Sequence, residues 1–350
     1  MGTDYAGAMS NTTAIHQHAL FADADDTPAP GATAVDAQPP GDELHALAQA
    51  LSPRIHLGTS SWSYPGWAGL VWAGAHTDAA LARDGLLAYA QHPLLRTVSI
   101  DRGFYRPMTA EQFALYAAQV PDDFRFIVKA PALVTDAMLR AGDGRGVQPN
   151  PAFLDPQQAI DRFVQPALDG LGAKIGALVF EISPLPSTLR RDMPALLERL
   201  ARLLTALPAL APTAPDGVIA VEVRDPDWLV PAFRDVLRAA GARYCLGLHP
   251  RLPPIAEQLP LLRAMWPGPF VCRWNLNRLH GAQGYEAAKA GYAPFDRLVD
   301  PDPDTRAALA RIVRGTAAAG FQVYVSVNNK AEGCAPLSVV ALARAVIAET

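Results

Sequence analysis

Glu222 and Arg224 stand two residues apart in GVIAVEVRD (217–225), and Arg273 and Asn275 do the same in FVCRWNLN (270–277). Both stretches are rich in strand-forming residues, and side chains two apart on a strand share a face. Each pair would present a guanidinium beside a carboxylate or an amide to one cavity. Similar apolar runs close on Ser60 with Trp62, on Asp101 with Tyr105, on Lys129, on Glu181, on His249, and on Asn328 with Asn329 and Lys330. Three cations (Lys129, Arg224, Arg273) converging with two or three carboxylates and two amides exceed what mutual pairing requires. They point to a small anionic or polyhydroxylated ligand, such as a sugar derivative or a phosphate ester. Glu222 and Glu181 are the candidates for general acid/base work, and Lys129 is a base, a Schiff-base amine or a plain anion contact. Trp62, Asp101, Tyr105, Arg224, Arg273, Asn275, Asn328, Asn329 and Lys330 are the candidates for holding substrate. The alternative for Glu222 and Arg224 is that they only neutralise each other inside the fold.

Lysine is scarce. The chain has 26 Arg and four Lys, and two of the four, Lys129 and Lys330, end such runs. Buried lysine, unlike arginine, can lose its proton. Other chemistry finds less support. Gly58-Thr-Ser60-Ser-Trp62 resembles a nucleophile elbow but lacks the closing glycine, so it reads as a turn with an exposed Trp62 lining a mouth. Asp225-Pro226-Asp227-Trp228 reads as a turn leading into a helix with Trp228 packed beneath it. No HExxH or cysteine ligand set occurs, so no metal is expected; the alternative is a divalent ion on His249, Glu181 and Glu222. Neither GxGxxG nor GxxxxGK[ST] is present, so no nucleotide cofactor is expected.

The elements that must position these residues repeat eight times. A short β-rich run is followed by a polar or Gly/Pro cluster and then by a stretch with helical spacing. The runs are 56–60, 97–101, 124–130, 176–183, 217–225, 243–250, 270–277 and 322–329. The helical stretches are 78–91, 109–118, 155–168, 189–207, 230–240, 255–265, 304–319 and 337–348. Thr109 with Gln112 has capping-box spacing, and Asp155-Pro156-Gln157-Gln158 places a carboxylate, a proline and a glutamine where a helix start favours them. Apolar strands alternating with helices call for a parallel sheet buried on both faces. Eight units predict a single (β/α)8 TIM-like barrel over 53–350, with a doubly wound open sheet as the alternative, and a barrel puts its site at the carboxyl ends of the strands.

Residues 1–52 contain seven acids and no Lys or Arg, and most of the segment lacks apolar periodicity. It reads as a disordered acidic tail with a short helix at 42–51. The remainder holds 30 basic and 27 acidic side chains, too even a balance for a nucleic-acid partner. Three widely spaced cysteines argue against a disulfide framework and for a reducing compartment, and the chain start lacks the basic residues of a signal or transit peptide. The uncharged span 55–77 carries His56, four glycines and several hydroxyls that lipid would leave unsatisfied. A cytoplasmic protein with no membrane contact is expected, with its oligomeric state open.

Several pieces, in order, resemble the DUF72 (YecE-like) family: Gly58-Thr-Ser-Ser-Trp62-Ser-Tyr-Pro-Gly-Trp67, Phe104-Tyr105-Arg106-Pro107, Val128-Lys129-Ala130 before Thr135, Val221-Glu222-Val223-Arg224 with Trp228, and Asn328-Asn329-Lys330-Ala-Glu-Gly333. The resemblance covers about 54–348 and implies a TIM barrel with a polar site at the strand ends and no established activity. Barrel enzymes such as sugar isomerases and endonuclease IV are structural analogies for such proteins, which makes metal-dependent phosphodiester hydrolysis a third reading beside an acid/base enzyme and a non-catalytic binding protein. This chain departs from the family at Ser99, Asp101 and Asp136. It also reads Arg273-Trp274-Asn275-Leu276 where the family has Arg-x-His-Gly, with His280-Gly281 displaced downstream. Those departures read as a divergent branch.

Overall fold

The computed structural model describes residues 34–142 and 145–348. The ten strands are β1 (Ile55–Thr59), β2 (Thr97–Ile100), β3 (Arg125–Lys129), β4 (Met138–Arg140), β5 (Gly146–Pro149), β6 (Ile175–Glu181), β7 (Val218–Glu222), β8 (Arg243–Leu248), β9 (Phe270–Trp274) and β10 (Val323–Val327). Eight of them close into a parallel barrel in the order β1-β10-β9-β8-β7-β6-β3-β2. Every run read as a strand from the sequence is one of these eight. Because β1 pairs with β2 on one side and with β10 on the other, the sheet has no edge, which excludes the open doubly wound alternative.

Side-chain alternation explains how the barrel is filled. Ile127, Ala177, Val179, Val218, Ala220, Cys245, Val271 and Tyr324 point inward and pack together as a core of their own. The ring of Tyr324 stacks on His56 at 5.2 Å, and its hydroxyl donates to the Asp216 carbonyl at 2.9 Å, closing the lower end. The outward residues, among them Leu178, Phe180, Val221 and Leu246, bury against the helices. Helix Met193–Ala206 shows why the helices lie there: Leu196, Leu197, Leu200, Leu203 and Leu204 form one apolar face, and Asp192 caps its start by accepting from the Ala195 amide. The capping box at Thr109 and Gln112 forms as its spacing predicts.

Three departures have local causes. The helix expected over 155–168 runs from Pro156 to Leu171 and widens into a π turn at Ile160–Val164. Pro166, just beyond that turn, has no N–H for the Arg162 carbonyl. The antiparallel pair β4–β5 and the helix Tyr285–Tyr292 were not expected; β4 and β5 are too short and exposed to carry a period. Residues 1–33 of the expected tail lie outside the described residues, but from Asp36 the chain is already seated on the barrel. The Asp36 carbonyl accepts from the Ala73 amide at 2.9 Å, and the Gln38 amide donates to the Val71 carbonyl at 2.8 Å. Helix Asp42–Ala50 then lays Leu44, Leu47 and Ala48 against the core. Among the described residues no helix is long and apolar enough to cross a membrane.

Candidate functional site

One side-chain repeat above the apolar layer, the same strands turn polar. Ile127 is followed inward by Lys129, Val179 by Glu181, Ala220 by Glu222, Cys245 by Gly247, Val271 by Arg273, and Tyr324 by Ser326. Glu181 and Glu222 are register partners on β6 and β7, so two carboxylates sit side by side and need cations between them. Arg273 supplies one. Its register neighbours are Gly247 and Ser326, small enough to let the guanidinium reach across the barrel. One Nη donates to Glu181 at 2.6 Å and to Glu222 at 2.7 Å, and the other donates to Asp101 at 2.7 Å. Arg224 donates to Glu181 at 2.9 Å and to the other oxygen of Glu222. Lys129 Nζ lies 3.3 Å from Glu181, and the Asn275 amide donates to Glu222 at 2.9 Å. Gly247 has a further reason to lack a side chain, since a Cβ there would come 3.0 Å from Glu222 Oε1.

This network holds three cations and three carboxylates and is neutral as a whole. Burial alone would raise the Glu181 carboxyl, but Arg224, Lys129 and Arg273 outweigh it and hold the group far below the usual carboxylate range. Burial likewise opposes the charge on Arg273, and Asp101, Glu222 and Glu181 more than restore it. Glu222 is 0% exposed and Arg273 3%. The alternative reading of Glu222 and Arg224, mutual neutralisation, therefore describes their contacts, widened to include Arg273 and Glu181. Arg224 and Arg273, expected to hold an anion, direct their Nη groups to Glu181, Glu222 and Asp101, and Arg273 Nε is buried with no partner among the described residues.

Above the network lies a pocket of about 120 Å³ at the carboxyl mouth of the barrel. Of the sequence candidates, Asp101, Tyr105, Lys129, Asn328 and Lys330 line it; Glu181, Glu222, Arg224, Arg273 and Asn275 form the layer below. Two candidates do not line it. Trp62 is buried rather than exposed, edge-on to Tyr116 at 5.1 Å beside Gly85 of the helix Asp78–Tyr89, and lines a small adjoining cavity that shares Ser61, Ser63 and Asp101 with the mouth pocket. Asn329 is fully buried behind the strand ends, where its Oδ1 accepts from Trp67 Nε1 at 3.2 Å and from the Ala335 amide at 2.7 Å. His249 accepts from the Arg251 amide, and burial with the nearby Arg224 lowers its pKa to about 3. Among the described residues no three His, Cys, Asp or Glu side chains are grouped to hold a metal ion, so His249, Glu181 and Glu222 do not form the ligand set considered for one.

The pocket also contains residues that strand-end reasoning missed. Ser61, Ser63 and Tyr64 come from the loop after β1, and Tyr285, Glu286, Lys289 and Phe295 come from the excursion between β9 and the helix Pro303–Ala318. Asn277 anchors that excursion by donating to the Asp300 and Ala331 carbonyls, and the fully buried Glu332 accepts from the Asp302 amide and from Arg306. The Asn-Asn-Lys-Ala-Glu-Gly segment is thus largely a clasp. Gly333, at φ +116°, faces the Arg297 carbonyl too closely to admit a Cβ. Within the pocket, Lys330 Nζ sits 4.1 Å from the centroid of the Tyr285 ring, and Lys129 Nζ sits 3.5 Å from that of Phe104. Lysine scarcity was the available signal, since three of the chain's four lysines (Lys129, Lys289, Lys330) line this one pocket.

Known structures share the architecture. Two crystal structures of a DUF72 family protein from Enterococcus faecalis V583 superpose with TM-scores of 0.55 and 0.52 at 18% and 17% identity, covering 83% and 84% of this chain and 95% and 97% of theirs. A DUF72 family protein from Thermotoga maritima MSB8 gives a TM-score of 0.46 at 17% identity, with 82% and 97% of the two chains covered. No curated protein matches the sequence. The family model described as "Protein of unknown function DUF72" matches residues 56–350, and the chain belongs to that family.

Proposed function

We propose that the mouth pocket binds a small anionic, polyhydroxylated molecule such as a sugar phosphate or sugar acid, and that the protein acts on it by acid/base chemistry. The observation that carries this reading is the gathering of three of four lysines at one pocket above a layer that is already neutral. With Lys129 and Asp101 engaged below, Lys330 and Lys289 against Glu286 leave one net positive charge among the pocket-lining side chains, which favours an anion. Neither Lys330 nor Lys289 has a carboxylate within 4 Å among the described residues. Tyr64, Tyr105, Tyr285, Ser63 and Asn328 surround that charge with groups suited to hydroxyls. Proton transfer falls to Asp101 and Lys129, which reach the pocket, rather than to Glu222, which does not. Glu181 and Glu222 serve as positioning residues: through Arg273 and directly they hold Asp101 and Lys129 in place.

The test is thermal unfolding with inorganic phosphate and with ribose 5-phosphate. Both should raise Tm in the wild type, and Lys330→Met with Lys289→Met should abolish the shift by removing the unpaired cations. Unchanged stabilisation in that double variant, or none in the wild type, would overturn the reading. A binding protein without catalysis would keep the ribose 5-phosphate shift and leave the sugar chemically unchanged after prolonged incubation.

A further inference from the structure

A second cavity lies at the opposite end of the barrel. Leu262, Arg263 and Trp266 follow the spacing i, i+1, i+4 at the end of the helix Ile255–Ala264, and Arg311, Ile312 and Gly315 repeat it on the helix Pro303–Ala318. Such matched stripes ordinarily close on one another. Here they flank an open groove of about 490 Å³, a volume usual for a small-molecule site, whose floor is Arg243 and Phe270, the first residues of β8 and β9. Gly315 helps keep it open: a Cβ at that position would meet nothing within 4 Å.

The charge in the groove has one sign. Arg243, Arg263 and Arg311 line it, and no Asp or Glu does. Arg243 donates only to backbone carbonyls, those of Pro269 at 3.1 Å and Met265 at 2.7 Å, and burial opposes its charge. Among the described residues the side chains of Arg263 and Arg311 have no hydrogen bond or ion pair, and both residues are exposed at the rim. Guanidinium groups around an apolar trough match a molecule with a hydrocarbon body and one anionic end. From this juxtaposition we infer that the groove between the helices Ile255–Ala264 and Pro303–Ala318 is a binding site for an amphipathic acid, its apolar body against Leu262, Ile312 and Trp266 and its carboxylate among Arg243, Arg263 and Arg311. The site is separate from the mouth pocket and does not rest on the function proposed for it.

Trp266 offers the readout. It is 51% exposed, and the other five tryptophans are at most 7% exposed, so a ligand in the groove reports through one indole. Titration with decanoate below its micellar concentration should change Trp266 fluorescence saturably, and decanol should bind at least about tenfold more weakly. Arg311→Gln should weaken decanoate binding about tenfold, the usual worth of one charge-assisted contact. Gly315→Leu should abolish binding while leaving the melting temperature equal or higher, since it fills the groove and favours the helix. Lys330→Met should leave binding unchanged. Equal affinity for decanol, or decanoate binding that survives Gly315→Leu, would overturn the assignment. So would sedimentation showing a dimer that Gly315→Leu dissociates, because the groove would then belong to a second copy of the chain.

Discussion

Replacing Arg273 with leucine removes one guanidinium from three carboxylates at once, and its cost can be worked from the contacts. Glu181 keeps Lys129 and Arg224, Glu222 keeps Arg224 and Asn275, and Asp101 keeps Ser99, whose hydroxyl donates to it at 2.6 Å, but no ion pair among the described residues. The network passes from neutral to one net negative charge, beneath a pocket and largely out of water. Breaking a buried pair from one side costs about 3–5 kcal/mol, a large share of the roughly 5–15 kcal/mol that holds a domain together. The pH dependence has a definite sign. In the wild type the cations hold Glu181 below its ordinary value, so their stabilisation is fully present above about pH 4.5 and is lost as pH falls through the folded value. With Arg273 gone that depression shrinks and Glu181 takes a proton more readily. The gap between wild type and variant should therefore be widest at pH 7 and narrow below about pH 5. Urea unfolding followed by circular dichroism at both pH values measures it. Arg273→Lys, which keeps the charge but loses the fork, should cost less, and adding Glu222→Gln to Arg273→Leu should recover part of the loss by restoring neutrality. A cost under about 1 kcal/mol at pH 7, or one that does not vary with pH, would refute the ion-network account.

Burial lowers His56 and His92 to pKa values of about 4, so stability should begin to fall below pH 6.5, by about 2 kcal/mol per histidine at pH 5, and the double change to phenylalanine should flatten that slope in urea titrations. Asn329→Ala should cost about 2–3 kcal/mol in the same assay, because it strips a buried acceptor from Trp67 Nε1 and the Ala335 amide. Gly247→Ala should destabilise by about 1–3 kcal/mol through its 3.0 Å approach to Glu222 Oε1, whereas Gly315→Ala, facing open space on a helix, should stabilise by about 0.5–1 kcal/mol.

The barrel was legible because every strand announces itself twice, by a run of Val, Ile, Leu and Phe and by a helix with a readable face after it. The eight strands and eight helices fall where that pattern places them, and the family resemblance reaches the same fold. The polar layer was legible as a set, since inward alternation at the strand ends names Lys129, Glu181, Glu222 and Arg273. How they divide the work was not, because it depends on register: the pairing of Glu181 with Glu222, and of Arg273 with Gly247 and Ser326, is what brings the guanidiniums onto the carboxylates below the pocket. Trp62 and Asn329 were misplaced for a related reason. Both follow strand ends, where two-residue alternation ceases and the turn decides direction. Lys289 and Tyr285 lie far from any strand end, and it is the clasp around Asn277 and Glu332 that carries their segment over the mouth.

Arg273 also bears on how the chain can fold. Its three carboxylate partners lie 51, 92 and 172 residues away, on β7, on β6 and just past β2, so one side chain joins both halves of the barrel. A chain ending before β9 has six of the eight barrel strands and lacks this guanidinium, so Asp101, Glu181 and Glu222 would share only Lys129 and Arg224 and the upper rim would carry one uncompensated negative charge. Contacts of such separation form late, after loop-closure entropy has been overcome elsewhere. The part of the apolar layer built from Ile127, Ala177, Val179 and Ala220 can therefore collapse first, with Val271, Tyr324 and the rim added only when the last strands arrive. Barrel closure and assembly of the mouth would then be a single event, and fragments cut between β7 and β8 should regain a pocket only on recombining.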